Sequence, residues 1–254
     1  MYKTLNVNVD GHIGKLTLNR PNQLNALSME MLRELTEAAH WFNDHTDLRV
    51  VVIEGQGRAF CAGADLNGFP GPDNPEFRTL ADSGLRMANA IEAMNALTIV
   101  RIHGWCIGGG VVLASACDLR VASLDVRFSI PEIDLGITLG WGGVERLVRD
   151  IGPVLAKELI VTCRAFSSEE AQRMGFINRC VAEESLDQVV TELASSIADK
   201  PRLPVSATKK DANVISAQMV RLGRITTDAD SLYAALLDPE CQSAREAYLK
   251  ALRR

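Results

Sequence analysis

Apolar positions along the chain set the first expectations. "LRVVVIEG" (48–55) is a short unbroken run, rich in β-branched residues and closed by Gly55. That is the pattern of a strand buried on both faces. "TIVRIHG" (98–104) repeats it and ends at Gly104, and "DLRVAS" (118–123) is a third strand candidate. "HIGKLTLNRP" (12–21) reads as a strand that stops at Pro21. Between these runs the period changes. Ser28 is placed to cap a helix through "MEMLRELTEAAHWFND" (29–44), where Leu32, Leu35, Ala39 and Phe42 fall on one face. Strands separated by helical segments predict an α/β protein with crossover connections.

The second half reads as more helical. Ser167 and Glu170 form a capping box ahead of "AQRM" (171–174), and Gly175 is placed to end that helix. Ser185 and Gln188 suggest another, ahead of Val189, Val190, Leu193 and Ile197. Pro201 and Pro204 break the pattern, which resumes from about Ser206 with Leu222, Ile225, Leu232, Leu236 and Leu237. "DLNGFPGPDNP" (65–75) carries three prolines and two glycines and is a loop, either a surface connection or a lid over a site.

Bulk numbers narrow the classes. The 254 residues suffice for a sizeable core, 47% are hydrophobic and 23% charged, and the net charge is −5. That balance, without a basic run, argues against a nucleic-acid partner. No stretch approaches the ~20 apolar residues of a membrane span, and the N-terminus lacks an apolar core of signal-peptide length. A cytoplasmic, reducing location is expected. Six cysteines (61, 106, 117, 163, 180 and 241) form no CxxC pair and read as buried free thiols. The four histidines have no metal-binding spacing, so no metal is expected.

Two segments share a design. "AFCAGADL" (59–66) and "GWCIGGGVVLA" (104–114) each place small residues after a strand-like stretch. Small residues at such a junction let the backbone approach a ligand closely. The first turn of a helix also presents unpaired N–H groups and a partial positive charge. Two junctions facing each other would aim two donors at one point, a device for holding an oxyanion. Tight packing alone is the competing reading. A phosphate cradle lacks its GxxxxGK[ST] or GxGxxG spacing.

At this point five ordered segments resemble the crotonase (enoyl-CoA hydratase/isomerase) superfamily over nearly the whole chain. They are "LNRPNQLNAL" (18–27), "AFCAGADL" (59–66), "GWCIGGGVVLASACDLRVAS" (104–123), "FSIPEIDLGI" (128–137) and "AFSSEEAQRMGFINRCV" (165–181). The resemblance implies an α/β spiral of ββα units over residues 1–200 with the acyl-CoA site. It implies a C-terminal helical region over 201–254 that mediates trimerisation, giving a homotrimer or a dimer of trimers. It implies an acyl-CoA thioester substrate, with coenzyme A as part of that substrate and no permanently bound cofactor. The oxyanion donors then fall on the amides of Ala64 and Gly109. Coenzyme A binding falls on Ala26, Ala62, Gly63, Asp65 and Leu66. Asp118 is expected to hold structure rather than to do chemistry.

The family's hydratases use two glutamates. The first slot is Val112 here, and the second is Glu132. The further acid of the dienoyl-CoA isomerases corresponds to Gly140. One glutamate beside an oxyanion hole suits a proton shuttle, so the expectation is an enoyl-CoA hydratase/isomerase-type enzyme with Glu132 as sole general acid/base. A valine at 112 leaves that side of the pocket apolar, which raises the pKa of a nearby carboxylate. Trp141 either narrows the acyl pocket or packs in the core. The alternatives are an aromatic acyl-CoA hydratase-lyase, a non-catalytic acyl-CoA binder, or a serine peptidase on the same fold using Ser115 and His103.

Overall fold

The computed structural model describes residues 2–66, 68, 71–219 and 227–252. Its elements run β1 (Leu5–Asp10), β2 (Ile13–Leu18), α1 (Met29–Asn43), β3 (Val50–Gly55), α2 (Phe77–Ala81), α3 (Ser83–Glu92) and β4 (Leu97–Ile102). Next come β5 (Trp105–Ile107), α4 (Gly109–Ser115), β6 (Leu119–Ser123), β7 (Arg127–Ser129), α5 (Gly143–Thr162), β8 (Phe166–Ser167) and α6 (Ser168–Arg173). β9 (Arg179–Val181) and α7 (Glu183–Ala198) follow, and then three helices, α8 (Arg202–Met219), α9 (Asp228–Leu237) and α10 (Pro239–Leu252). A larger sheet has the order β1-β2-β3-β4-β6-β9, and a smaller one the order β5-β7-β8.

β1 and β2 form an antiparallel hairpin, and every later pair in the large sheet is parallel. The four apolar runs became β2, β3, β4 and β6 because parallel strands are covered on both faces. Val51 and Ile53 join the main core with Leu32, Leu35 and Phe42 of α1. Val50 and Val52 pack on the other face with Ile99, Val121 and the α7 residues Leu186 and Val190. Ser28 accepts a hydrogen bond from the Met31 amide at 3.2 Å, a cap worth about 1 kcal/mol. Ser167 caps α6 through the Glu170 amide in the same way.

Two expectations need correction, and a third is not tested. Ser185 is not a cap. α7 starts earlier, after Ala182, and the Ser185 amide bonds back to the Ala182 carbonyl. Glu183 and Glu184 in the first turn satisfy the helix dipole, and the buried stripe of Leu186, Val190 and Ala194 pulls the start forward. The cysteines are free, but only Cys61, Cys106 and Cys117 are buried, while Cys163, Cys180 and Cys241 are partly exposed. The helical pattern at Leu222 and Ile225 lies outside the described residues.

Asp118 ends α4's connection to β6 and anchors the C-terminal region. Its Oδ2 accepts from the Thr98 amide at 2.7 Å, from the Thr98 hydroxyl at 2.7 Å and from Lys209 Nζ at 2.8 Å. Lys209, on α8, is only 5% exposed and also donates to the Ala96 carbonyl at 3.0 Å. Among the described residues no helix is long and apolar enough to cross a membrane.

Candidate active site

Backbone pairing brings the two small-residue junctions together. Cys61 and Cys106 form a parallel bridge, with the Cys61 amide donating to the Trp105 carbonyl and the Ile107 amide to the Cys61 carbonyl, both at 3.0 Å. Three residues further on each chain lie Ala64 and Gly109. On the far side, Leu27 pairs with Ala64. The Leu27 amide donates to the Gly63 carbonyl at 2.8 Å, and the Asp65 amide donates to the Leu27 carbonyl at 3.0 Å. In a parallel ladder this leaves the N–H of Ala64 pointing away from Leu27, toward the Gly109 side. Gly63 sits at φ +96°, and a Cβ there would lie 3.0 Å from the Ile107 carbonyl oxygen and 3.7 Å from the Gly109 nitrogen. Only glycine lets the two segments approach this closely.

The small sheet delivers Glu132 to the same place. β5 and β7 pair Ile107 with Ser129, and the Gly108 amide donates to the Ser129 carbonyl at 2.9 Å. A tight turn follows, closed by bonds from Leu135 to Pro131 and from Ile137 to Glu132. Glu132 thereby lies over Gly108, whose φ is +49°; a Cβ on Gly108 would stand 3.2 Å from the Glu132 carboxyl carbon. Glu132 Oε2 is buried and has no hydrogen-bond partner among the described residues. Burial pushes the carboxyl up to about 7, its own backbone amide opposing the shift.

A cavity of about 310 Å3 opens at this junction, lined by Ala64, Leu66, Gly109, Val112, Glu132 and Trp141 together with residues of α9 and α10. Val112 lines it with an apolar side chain, and Gly140 lines it without one. Trp141, at φ +60° and 8% exposed, is wedged between two helices. A Cβ on Gly109 would lie 2.5 Å from its Cζ3, and one on Gly84 of α3 would overlap the ring outright. The remaining glycine of the triplet, Gly110, rests on the Cys61 carbonyl, 2.7 Å from where a Cβ would be. Gly84→Ala is therefore expected to force the indole off Gly109 and destabilise the fold by about 1–3 kcal/mol. Thermal unfolding together with tryptophan emission checks this; an unchanged melting temperature would contradict the wedge.

Ala26, Ala62, Gly63 and Asp65 lie beside the cavity rather than in its lining. They belong to two loops held together around Asn25, which the sequence reading overlooked. Asn25 is fully buried at φ +56°. It accepts from the Arg20 amide at 2.9 Å and donates to the Gln56 and Ala59 carbonyls, each at 2.9 Å. Arg20 also pairs with Asp65 at 2.9 Å and donates to the Ala26 carbonyl. An asparagine inside "LNRPNQLNAL" was the available signal, since Asn tolerates positive φ and bonds nearby backbone. The C-terminal wall, with Asp228, Leu232, Arg245 and Leu249, was also missed.

Ser115 and His103 do not meet. The Ser115 hydroxyl donates to the Val112 carbonyl at 2.7 Å, and His103 Nε2 is bonded to the Gly57 carbonyl at 2.7 Å. Among the described residues no cluster of His, Cys, Asp and Glu is arranged to hold a metal ion.

The chain is similar to known proteins along most of its length. A family model described as enoyl-CoA hydratase/isomerase matches residues 8–253. The chain is 34% identical over 239 residues to a crotonyl-CoA hydratase of Syntrophomonas wolfei, covering 93% of this chain and 92% of that protein. It is 37% identical over 224 residues to the peroxisomal Delta(3,5)-Delta(2,4)-dienoyl-CoA isomerase of Arabidopsis thaliana, covering 82% and 81% of the two chains. A solved enoyl-CoA hydratase of Mycobacterium smegmatis superposes with a TM-score of 0.79 at 31% identity, over 98% of this chain and 97% of that one.

Proposed function

This chain belongs to the enoyl-CoA hydratase/isomerase family and has the crotonase fold, and we propose that it moves a double bond within an enoyl-CoA thioester with Glu132 as its sole general acid and base. The observation that carries this reading is the buried carboxyl of Glu132, pressed on Gly108 one residue before Gly109. The amides of Ala64 and Gly109 hold the thioester oxygen. Glu132 as carboxylate takes a proton from C2 of a 3-enoyl ester, and the electron pair spreads onto the held oxygen as a dienolate. The same carboxyl returns the proton at C4, leaving the double bond between C2 and C3. Preorganised amides stabilise the charge where it develops. A carboxyl poised at about 7 both takes and gives the proton near neutrality.

Val112 supports migration over hydration, because no second carboxyl stands beside Glu132 in that slot to activate water. Hydration is the second reading, favoured by the likeness to a crotonyl-CoA hydratase. The coenzyme A moiety runs along Ala26, Ala62, Gly63, Asp65 and Leu66. Asp65 contributes through its backbone, its carboxylate being engaged by Arg20. The assembly is a homotrimer or a dimer of trimers. Val154, Leu203, Val214, Ile215 and Met219 leave large apolar side chains exposed on α5 and α8 for such contacts.

A panel of 3-enoyl-, 2-enoyl- and aromatic acyl-CoA esters tests the proposal. The 3-enoyl ester should be converted fastest, with kcat/KM rising with pH through about 7 as Glu132 loses its proton and then levelling. Preferential turnover of the aromatic ester would instead indicate a hydratase-lyase. Tight binding without turnover of any ester would leave a non-catalytic acyl-CoA binder.

A further inference from the structure

Arg245, on α10, lines the cavity that holds Glu132. Its Nη2 is buried, and among the described residues none accepts a hydrogen bond from it. A guanidinium carries a positive charge and five donors. The surrounding wall is apolar, formed by Leu135, Leu139, Leu232, Leu236 and Leu249. Arg245 as a whole is half-buried, and a buried donor of a cation costs free energy unless an acceptor meets it. Among the described residues neither acid lining the cavity accepts a hydrogen bond from Arg245 Nη2. Glu132 lies on Gly108, and Asp228 Oδ2 accepts from the Gly142 amide at 2.8 Å.

We propose that Arg245 forms a subsite for a carboxylate at the far end of the acyl chain, so that thioesters of dicarboxylic acids are the preferred ligands. This rests on the reading of the cavity as the acyl site. A planar fork of donors matches a carboxylate in a bidentate manner, and the leucines between contact the methylenes that separate it from the thioester. The positive charge sits in the wall that α10 contributes, and the reacting carboxyl on the turn that follows β7. The ligand that satisfies both ends therefore carries its thioester at Ala64 and Gly109 and its second acid at Arg245.

The test uses saturated esters, which the enzyme cannot turn over. Titration calorimetry compares glutaryl-CoA with pentanoyl-CoA, and adipoyl-CoA with hexanoyl-CoA. The dicarboxylic ester should bind tighter by on the order of tenfold or more at one or both lengths, the scale of a hydrogen bond to a charged group. Arg245→Met should bring that ratio to about one, and Arg245→Lys should keep part of it. Equal affinities at both lengths in the wild type, or a preference that survives Arg245→Met, overturn the proposal. Should Arg245→Met fail to fold, the wild-type ratio and the Lys variant decide. If enoyl esters are isomerised but the dicarboxylic esters bind no better, only the Arg245 assignment falls. If dicarboxylic esters bind tighter and nothing is turned over, the isomerase reading falls and the subsite stands.

Discussion

Glu132→Gln is expected to lower kcat by about three orders of magnitude, within the range for a lost general acid–base group. Affinity for the same thioester should stay within a few-fold, because the amides of Ala64 and Gly109 are backbone and remain in place. Single-turnover kinetics beside a direct binding measurement separates the two. Full activity in the variant would remove Glu132 from the chemistry. The same substitution has a stability consequence with a defined sign. The native carboxyl titrates at about 7 and the free one at 4.5, so below about pH 4 both states hold the proton and burial carries no ionic cost. Between about pH 4.5 and pH 7 the unfolded chain releases this proton while the buried native carboxyl keeps it, and above 7 both states are ionised. Stability is lost over that window, by about 3 kcal/mol in total for such a shift. Glutamine has no proton to lose there. The variant should therefore gain on the wild type in melting temperature between pH 5 and pH 8, and be nearly level with it at pH 4.

Asp118→Ala is the second large effect, and it acts on the fold. The substitution strips Lys209 of its counter-charge inside the protein and leaves the Thr98 amide without its acceptor. Removing one partner of a buried pair costs about 3–5 kcal/mol, which for a chain of this size lowers the melting temperature by roughly 10 °C. Adding Lys209→Met to Asp118→Ala should recover part of the loss, since the stranded cation is gone. A double variant as unstable as the sum of the two singles would show that the pair does not interact. Both changes lie away from the cavity lining, so thermal unfolding is the direct readout.

Legibility in the sequence followed the range of the interactions. β3 and β4 were readable because covering both faces of a parallel strand makes the whole run apolar, a local property. Ser28 and Ser167 were readable because a cap bonds three residues ahead. β5, β7 and β8 were not, since two or three residues carry no period. Ser185 misled because a capping box is written in four residues, whereas the start of α7 is decided by which side chains reach the sheet. The wedge of Trp141 between Gly84 and Gly109 joins positions far apart in the chain, and nothing near any of them announces the others. The same holds for Lys209 against Asp118 and for Arg245 in the cavity wall. The glycine triplet stood out as a motif, but its purpose is set by three distant groups: the Glu132 carboxyl, the Trp141 ring and the Cys61 carbonyl.

The cavity draws its last wall from α9 and α10, through Ala229, Leu232, Leu236, Arg245 and Leu249. During translation Ala64, Gly109 and Glu132 leave the ribosome long before those helices do. Until α10 docks, the cavity that Glu132 lines stands open on that side. The pocket is thus complete only once α10 has docked, and a nascent chain that stalls short of it displays an open apolar trough.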